Sequence, residues 1–130
     1  MTTMKRKPLV AGNWKMNGNA ALVAEFIDAL NAVDTIGVDV VVCPPAIYLS
    51  ALGAGRFAIG AQDVSALDQG AHTGDISVDM LDDVGCEYVI VGHSERREDH
   101  GETSDLVAEK AAKVVSATLT PIVCVGEPLE

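Results

Sequence analysis

Short apolar runs rich in Val and Ile alternate along the chain with longer stretches whose apolar positions recur at helical spacing. The runs are Leu9-Val10-Ala11, Val38-Asp39-Val40-Val41-Val42-Cys43, Phe57-Ala58-Ile59, Tyr88-Val89-Ile90-Val91 and Ile122-Val123-Cys124-Val125. Asp39 apart they are continuously apolar, the pattern of parallel strands covered on both faces. Between the first two, Leu22, Val23, Phe26, Ile27, Leu30 and Val33 lie on one face of a helix. A second face is formed by Leu106, Val107, Ala111, Val114 and Val115, with Thr103 or Ser104 as N-cap. Shorter helices fit 45–52, after Pro44-Pro45, and 77–84, ended by Gly85. The pattern predicts strand–helix four times and then a fifth strand. Such alternation builds right-handed βαβ units around a parallel sheet, the α/β class.

The 130 residues amount to one domain at most, and no linker or composition shift divides residues 1–130. Nineteen acidic side chains against nine basic ones give a net charge of −10. A nucleic-acid binder would carry a basic patch or stripe, so that class is excluded. An anionic substrate would need a local cationic site. No apolar run reaches the roughly 18 residues of a membrane span. Lys5, Arg6 and Lys7 resemble the charged start of a signal peptide, but Pro8 and then Gly12-Asn13-Trp14-Lys15 interrupt any apolar region. A cytoplasmic protein is expected. Cys43, Cys86 and Cys124 each sit in or beside an apolar run, as small buried hydrophobes of a reducing compartment do. Neither Cys-x-x-Cys nor clustered Cys/His spacing points to a metal.

Polar residues gather where the apolar runs end. Gly12 to Asn17 follow the first run, Gln62 and Asp63 the third, Gly92 to Arg97 the fourth, and Gly126 and Glu127 the fifth. Parallel α/β folds place ligands at the carboxyl ends of their strands. Gly53-Ala54-Gly55-Arg56-Phe57-Ala58 matches a dinucleotide-binding pattern in letters only. It follows a helix and precedes a strand, which is the reverse context, and reads as a helix cap and tight turn.

Lys15 has two readings: a solvated lysine, or a point charge aimed at an anionic substrate or developing oxyanion, with Asn13 as second donor. His93 likewise is either a strand-end histidine bonded to a turn or a catalytic imidazole. A helical turn starting at Ser94 or Glu95 would direct free N–H groups at the ring and favour its neutral form. Within the charged run Glu95-Arg96-Arg97, Arg96 is a candidate ion-pair partner for Asp75 across the strand ends. His72 and His100 lie in polar sequence and read as exposed.

Asn13-Trp14-Lys15-Met16-Asn17, together with Gly92-His93-Ser94-Glu95-Arg96-Arg97, closely resembles the triosephosphate isomerase family. Ala61-Gln62-Asp63-Val64, Gly70-Ala71-His72-Thr73-Gly74, Gly101-Glu102-Thr103 and Cys124-Val125-Gly126-Glu127 fit the same family in order and spacing. The resemblance implies a (β/α)8 barrel, interconversion of dihydroxyacetone phosphate and glyceraldehyde 3-phosphate, no cofactor, and a homodimer. That family is itself the standard illustration of a catalytic neutral histidine. Carried over, Lys15 binds substrate and stabilises the enediolate, Asn13 donates to a substrate oxygen, His93 polarises the carbonyl, and Glu95 supports both. Gln62 and Thr73 fall at the expected subunit interface, Thr73 approaching the partner's Asn13–Lys15 region. Asp75 stands where the family more often has Glu.

A full barrel takes roughly 250 residues. The resemblance therefore implies an N-terminal half, four βα units and the fifth strand, without the general-base glutamate, the lid and the later phosphate-binding loops. The expected partners are a small phosphorylated triose and either a second copy or a complementing C-terminal half. The alternative is a non-catalytic half-barrel serving assembly or folding.

Overall fold

A computed structural model describes residues 6–126. Strand β1 (Leu9–Asn13) leads into helix α1 (Ala20–Asn31), whose start is capped by the Asn19 side chain accepting the Leu22 N–H at 2.8 Å. Strand β2 (Asp39–Cys43) is followed by a 3-10 turn at Ala46–Tyr48 and the short helix α2 (Leu49–Leu52). Then come β3 (Ala58–Ala61), α3 (Val78–Asp83) and β4 (Tyr88–Val91). Helix α4 (Ser94–His100) ends at Gly101, which takes the left-handed conformation at φ 66° that glycine adopts without strain. Helix α5 (Ser104–Ser116) is capped by Thr103, and β5 (Thr120–Val123) completes the series.

The five strands form one parallel sheet in the order β1-β2-β3-β4-β5. A sheet that adds each strand beside the last, with no reversal of order, is half of a barrel and lacks the switch point of a doubly wound sheet.

Side chains alternate across this sheet. Val42, Ile59, Ala61, Val89 and Val91 face the helices and join Val23, Leu49, Leu52, Leu81, Val107 and Val114 in the main core. Val41, Cys43 and Ile90 form a smaller cluster on the opposite, inner face, with Ala58, Tyr88, Ile122 and Cys124 against it. Cys43 and Cys86 are buried and Cys124 half-buried, and all three are free thiols. Burial, with the nearby Cys86 adding to it, pushes the Cys43 thiol up to about 12, and burial alone takes Cys86 to about 11.

Three expectations shift. The strands are not all covered on both faces: β2 to β4 are largely buried, whereas Leu9 and Val10 of β1 and Val123 of β5 are exposed, because each outer strand has one neighbour. The fifth strand starts two residues before its apolar run and stops at Val123, since pairing runs from Tyr88↔Thr120 to Val91↔Val123. Register with β4 sets its limits. The helical turn expected at Ser94 forms and runs on to His100 as a helix, an extent that the charged sequence, with no apolar period, does not announce. Asp39, the polar exception among the runs, stands at the start of β2 and pairs with Lys7 at 3.0 Å. Gly53 follows α2, and the glycine run after it leads into β3 as a turn.

Candidate active site

The carboxyl ends of β1, β3 and β4 open onto one cavity of about 720 Å³, lined among others by Asn13, Lys15, Gln62, Asp63, His93 and Glu95. Four of the residues singled out above meet here. Lys15 Nζ lies 3.2 Å from Glu95 Oε2, and both side chains are half exposed. Glu95 Oε1 lies 3.3 Å from His93 Nδ1. Asn13 Oδ1 accepts the Lys15 N–H at 2.9 Å.

His93 is itself the N-cap of α4: its Nδ1 accepts the Glu95 N–H at 3.1 Å. A ring nitrogen that accepts an amide carries no hydrogen, so in this geometry the neutral imidazole bears its proton on Nε2 and can donate from there. A protonated ring would have to give up that amide and turn Nδ1–H toward Glu95.

Lys15 stands at φ 56°, in the left-handed region. For a residue with a Cβ this costs on the order of 1–2 kcal/mol and persists only where the surroundings impose it. Gln62, placed at the subunit interface by resemblance, directs its amide into its own chain, donating to the Lys15 carbonyl at 2.8 Å and the Cys43 carbonyl at 3.0 Å. Thr73 is exposed on the long loop between β3 and α3, and His72 and His100 are exposed as well.

The expected ion pair between Asp75 and Arg96 is not formed within the chain. Arg96 donates to Glu102 Oε2 at 2.7 Å and pairs with Asp63 Oδ2 at 3.1 Å. Asp75 is exposed and solvated, whereas the Glu102 carboxylate is buried and demands compensation. Lys110 completes the group, its Nζ 2.7 Å from Glu102 Oε2 and 2.8 Å from Asp63 Oδ1. Burial would raise the Glu102 carboxyl, but hydrogen bonds from Lys110 and Arg96, reinforced by their charges, outweigh it and hold it below the usual range. Its Oε1 is buried with no hydrogen-bond partner among the described residues.

Sequence reasoning missed Glu102 and Lys110 as supports of the site. The available signal was Lys110 itself, a lysine in line with Val107 and Val114 on the buried face of α5. Arg97 is also consumed structurally, donating to the carbonyls of Gly92 at 2.8 Å and Cys124 at 3.1 Å. With Arg96 and Arg97 so engaged, Lys15 is the cation presented at the cavity mouth beside His93.

Among the described residues no three His, Cys, Asp or Glu side chains come together to hold a metal ion. No helix among them is long and apolar enough to cross a membrane. Glu127, the remaining strand-end carboxylate, lies outside the described residues.

A family model described as triosephosphate isomerase matches residues 8–130. The triosephosphate isomerase of Alkalilimnicola ehrlichii is 53% identical over 130 residues, an alignment covering 96% of this chain and 52% of that protein. Those of Shewanella denitrificans and Alcanivorax borkumensis are each 52% identical, with 94% and 98% of this chain aligned to 52% of theirs. The chain spans about half the length of the curated relatives it matches.

Proposed function

Because the chain belongs to the triosephosphate isomerase family, we propose that it supplies the electrophilic half of a site interconverting dihydroxyacetone phosphate and glyceraldehyde 3-phosphate. The observation that carries this is the convergence of Lys15, Glu95 and His93, with His93 Nδ1 occupied by the Glu95 amide. When a proton leaves the carbon beside the carbonyl, negative charge develops on the carbonyl oxygen. His93 Nε2–H and the Asn13 amide donate to that oxygen, and the Lys15 ammonium offsets its charge. Donors placed in advance where charge develops supply the largest share of such stabilisation. A neutral imidazole suits this geometry because it donates from Nε2–H while its Nδ1 keeps accepting the Glu95 N–H.

Of the carboxylates lining the cavity, the two at strand ends are engaged, Glu95 with Lys15 and Asp63 with Arg96 and Lys110, whereas Asp75 and Glu109 belong to the β3–α3 loop and to helix α5. The base that takes the proton from carbon therefore comes from the remainder of the barrel. A positioned base contributes on the order of 10²–10⁴-fold, so the chain alone is inactive on this reading. The exposed loop bearing Thr73 would then approach a second copy's Asn13–Lys15 region in a cytoplasmic homodimer, whose copy number native mass spectrometry counts.

The test completes the barrel by co-expressing the chain with the C-terminal half of the Alkalilimnicola ehrlichii relative and measuring isomerisation of glyceraldehyde 3-phosphate. Lys15→Ala and His93→Ala should each lower kcat/KM by at least about a hundredfold, the scale of losing an oxyanion donor, with circular dichroism unchanged. Wild-type rates in both variants would remove these residues from the chemistry.

A further inference from the structure

The left-handed backbone of Lys15, at φ 56°, is gripped from both sides. Asn13 Oδ1 accepts its N–H at 2.9 Å, and Gln62 Nε2 donates to its carbonyl at 2.8 Å. The same Gln62 nitrogen donates to the Cys43 carbonyl at 3.0 Å, and that oxygen also accepts the Trp14 N–H at 3.0 Å. One amide group, standing just beyond β3, thereby ties the loop after β1 to the end of β2. We infer that Gln62 is a positioning residue for Lys15: its two N–H groups lock the left-handed turn that carries the ammonium toward His93 and Glu95. This rests on the proposed role of Lys15 as the cation of the site.

The chemistry of the clamp is specific. Two carbonyl oxygens converge on a single nitrogen, so the side chain must carry two donors on one atom at glutamine's reach. Glutamate in its place sets a carboxylate oxygen against two carbonyl oxygens. Methionine fills the space and donates nothing. In either case Lys15 is held by Asn13 alone, and relaxation of its φ to a negative value swings the side chain away from Glu95. Misplacement of a reacting group by about 1 Å costs on the order of a hundredfold.

The experiment has two readouts on the same variants, Gln62→Glu and Gln62→Met. In the completed barrel with the 130-residue chain isotopically labelled, a strong intraresidue HN–Hα nuclear Overhauser effect and the one-bond Cα–Hα coupling of Lys15 report the sign of its φ. In the completed barrel, kcat/KM for glyceraldehyde 3-phosphate is measured in the wild-type and Lys15→Ala backgrounds. We expect both variants to lose the positive-φ signature and to lower kcat/KM by about ten- to a hundredfold. In the Lys15→Ala background neither should lower it further, because the residue acts through Lys15. Retention of positive φ in both variants, or a full additional loss on top of Lys15→Ala, overturns the assignment. If Lys15→Ala itself leaves the rate unchanged, the proposed function fails, and the sign of φ alone decides the clamp.

Discussion

Glu102 and Lys110 keep only 3% and 7% of their side-chain surface exposed, so the ion pair between them is the most deeply buried described here. Removing one member of such a pair strands the other's charge, which typically costs about 3–5 kcal/mol. Lys110→Ala should therefore fall in or near that range, with Arg96 offsetting part of the loss. The pH dependence follows from the lowered Glu102 carboxyl. In the acid range the unfolded chain binds a proton there more readily than the folded one, so stability rises with pH. The contribution is complete above the unfolded value and is lost as pH falls through the folded one. Urea midpoints between about pH 5 and pH 3 should decline less steeply in Glu102→Gln than in wild type; an unchanged slope would show that another carboxylate carries the acid sensitivity.

The same residues mark how far the site was legible in sequence. Strand-end position alone left Lys15 and His93 with two readings each, and it was the resemblance of Asn13–Asn17 and Gly92–Arg97 to a known family that singled out Asn13, Lys15, His93 and Glu95. The partner of Arg96 was not legible, since charge and chain position favour Asp75 as much as Glu102. Only burial, a three-dimensional property, separates the two. Gln62 was legible as a polar residue at a strand end and, by resemblance, as an interface residue, but which carbonyls its amide reaches depends on the stagger of three strand ends.

At the level of elements, the junction between β4 and α4 concentrates the constraints. Gly92 has φ 69°, and a Cβ there would lie 2.7 Å from Val107 Cγ1 and 2.9 Å from an Arg97 guanidinium nitrogen. Gly92→Ala adds left-handed strain of about 1–2 kcal/mol to overpacking of about 1–3 kcal/mol. A loss of about 2–5 kcal/mol is expected, read from the shift in urea midpoint. Pairing it with Val107→Ala should recover the overpacking part but not the strain, making the two changes less than additive. Full additivity would mean that the helix moves aside freely. The elements themselves were largely readable from apolar period, including the capping Thr103 of α5. What escaped was the extent of α4 beyond the expected turn at Ser94, since its seven residues Ser-Glu-Arg-Arg-Glu-Asp-His offer no apolar face. It is held instead by the Arg96 and Arg97 contacts, by His93 at its start and by Gly101 at its end.

On the scale of the whole molecule, the sheet's two outer strands dominate. β1 and β5 each pair on one side only, and Leu9, Val10 and Val123 are 43%, 58% and 46% exposed. An unpaired strand edge is a template for further pairing, and wet apolar surface adds to the drive. The inner cluster has three buried members, Val41, Cys43 and Ile90, too few to seal the face without neighbours. This openness is also what favours the alternative of a half-barrel acting as an assembly module. The chain by itself should therefore self-associate or bind a dye specific for exposed apolar surface, and addition of the C-terminal half of the Alkalilimnicola ehrlichii relative should suppress both. Light scattering coupled to size exclusion, with dye fluorescence on the same fractions, reads the two effects together. A monomeric peak with cooperative thermal unfolding and no dye binding would mean that the five strands close their own surface. Suppression by the C-terminal half, accompanied by the appearance of isomerase turnover, ties closure of the barrel to assembly of the site. Suppression without turnover would leave the half-barrel as a module that builds the fold and not the chemistry.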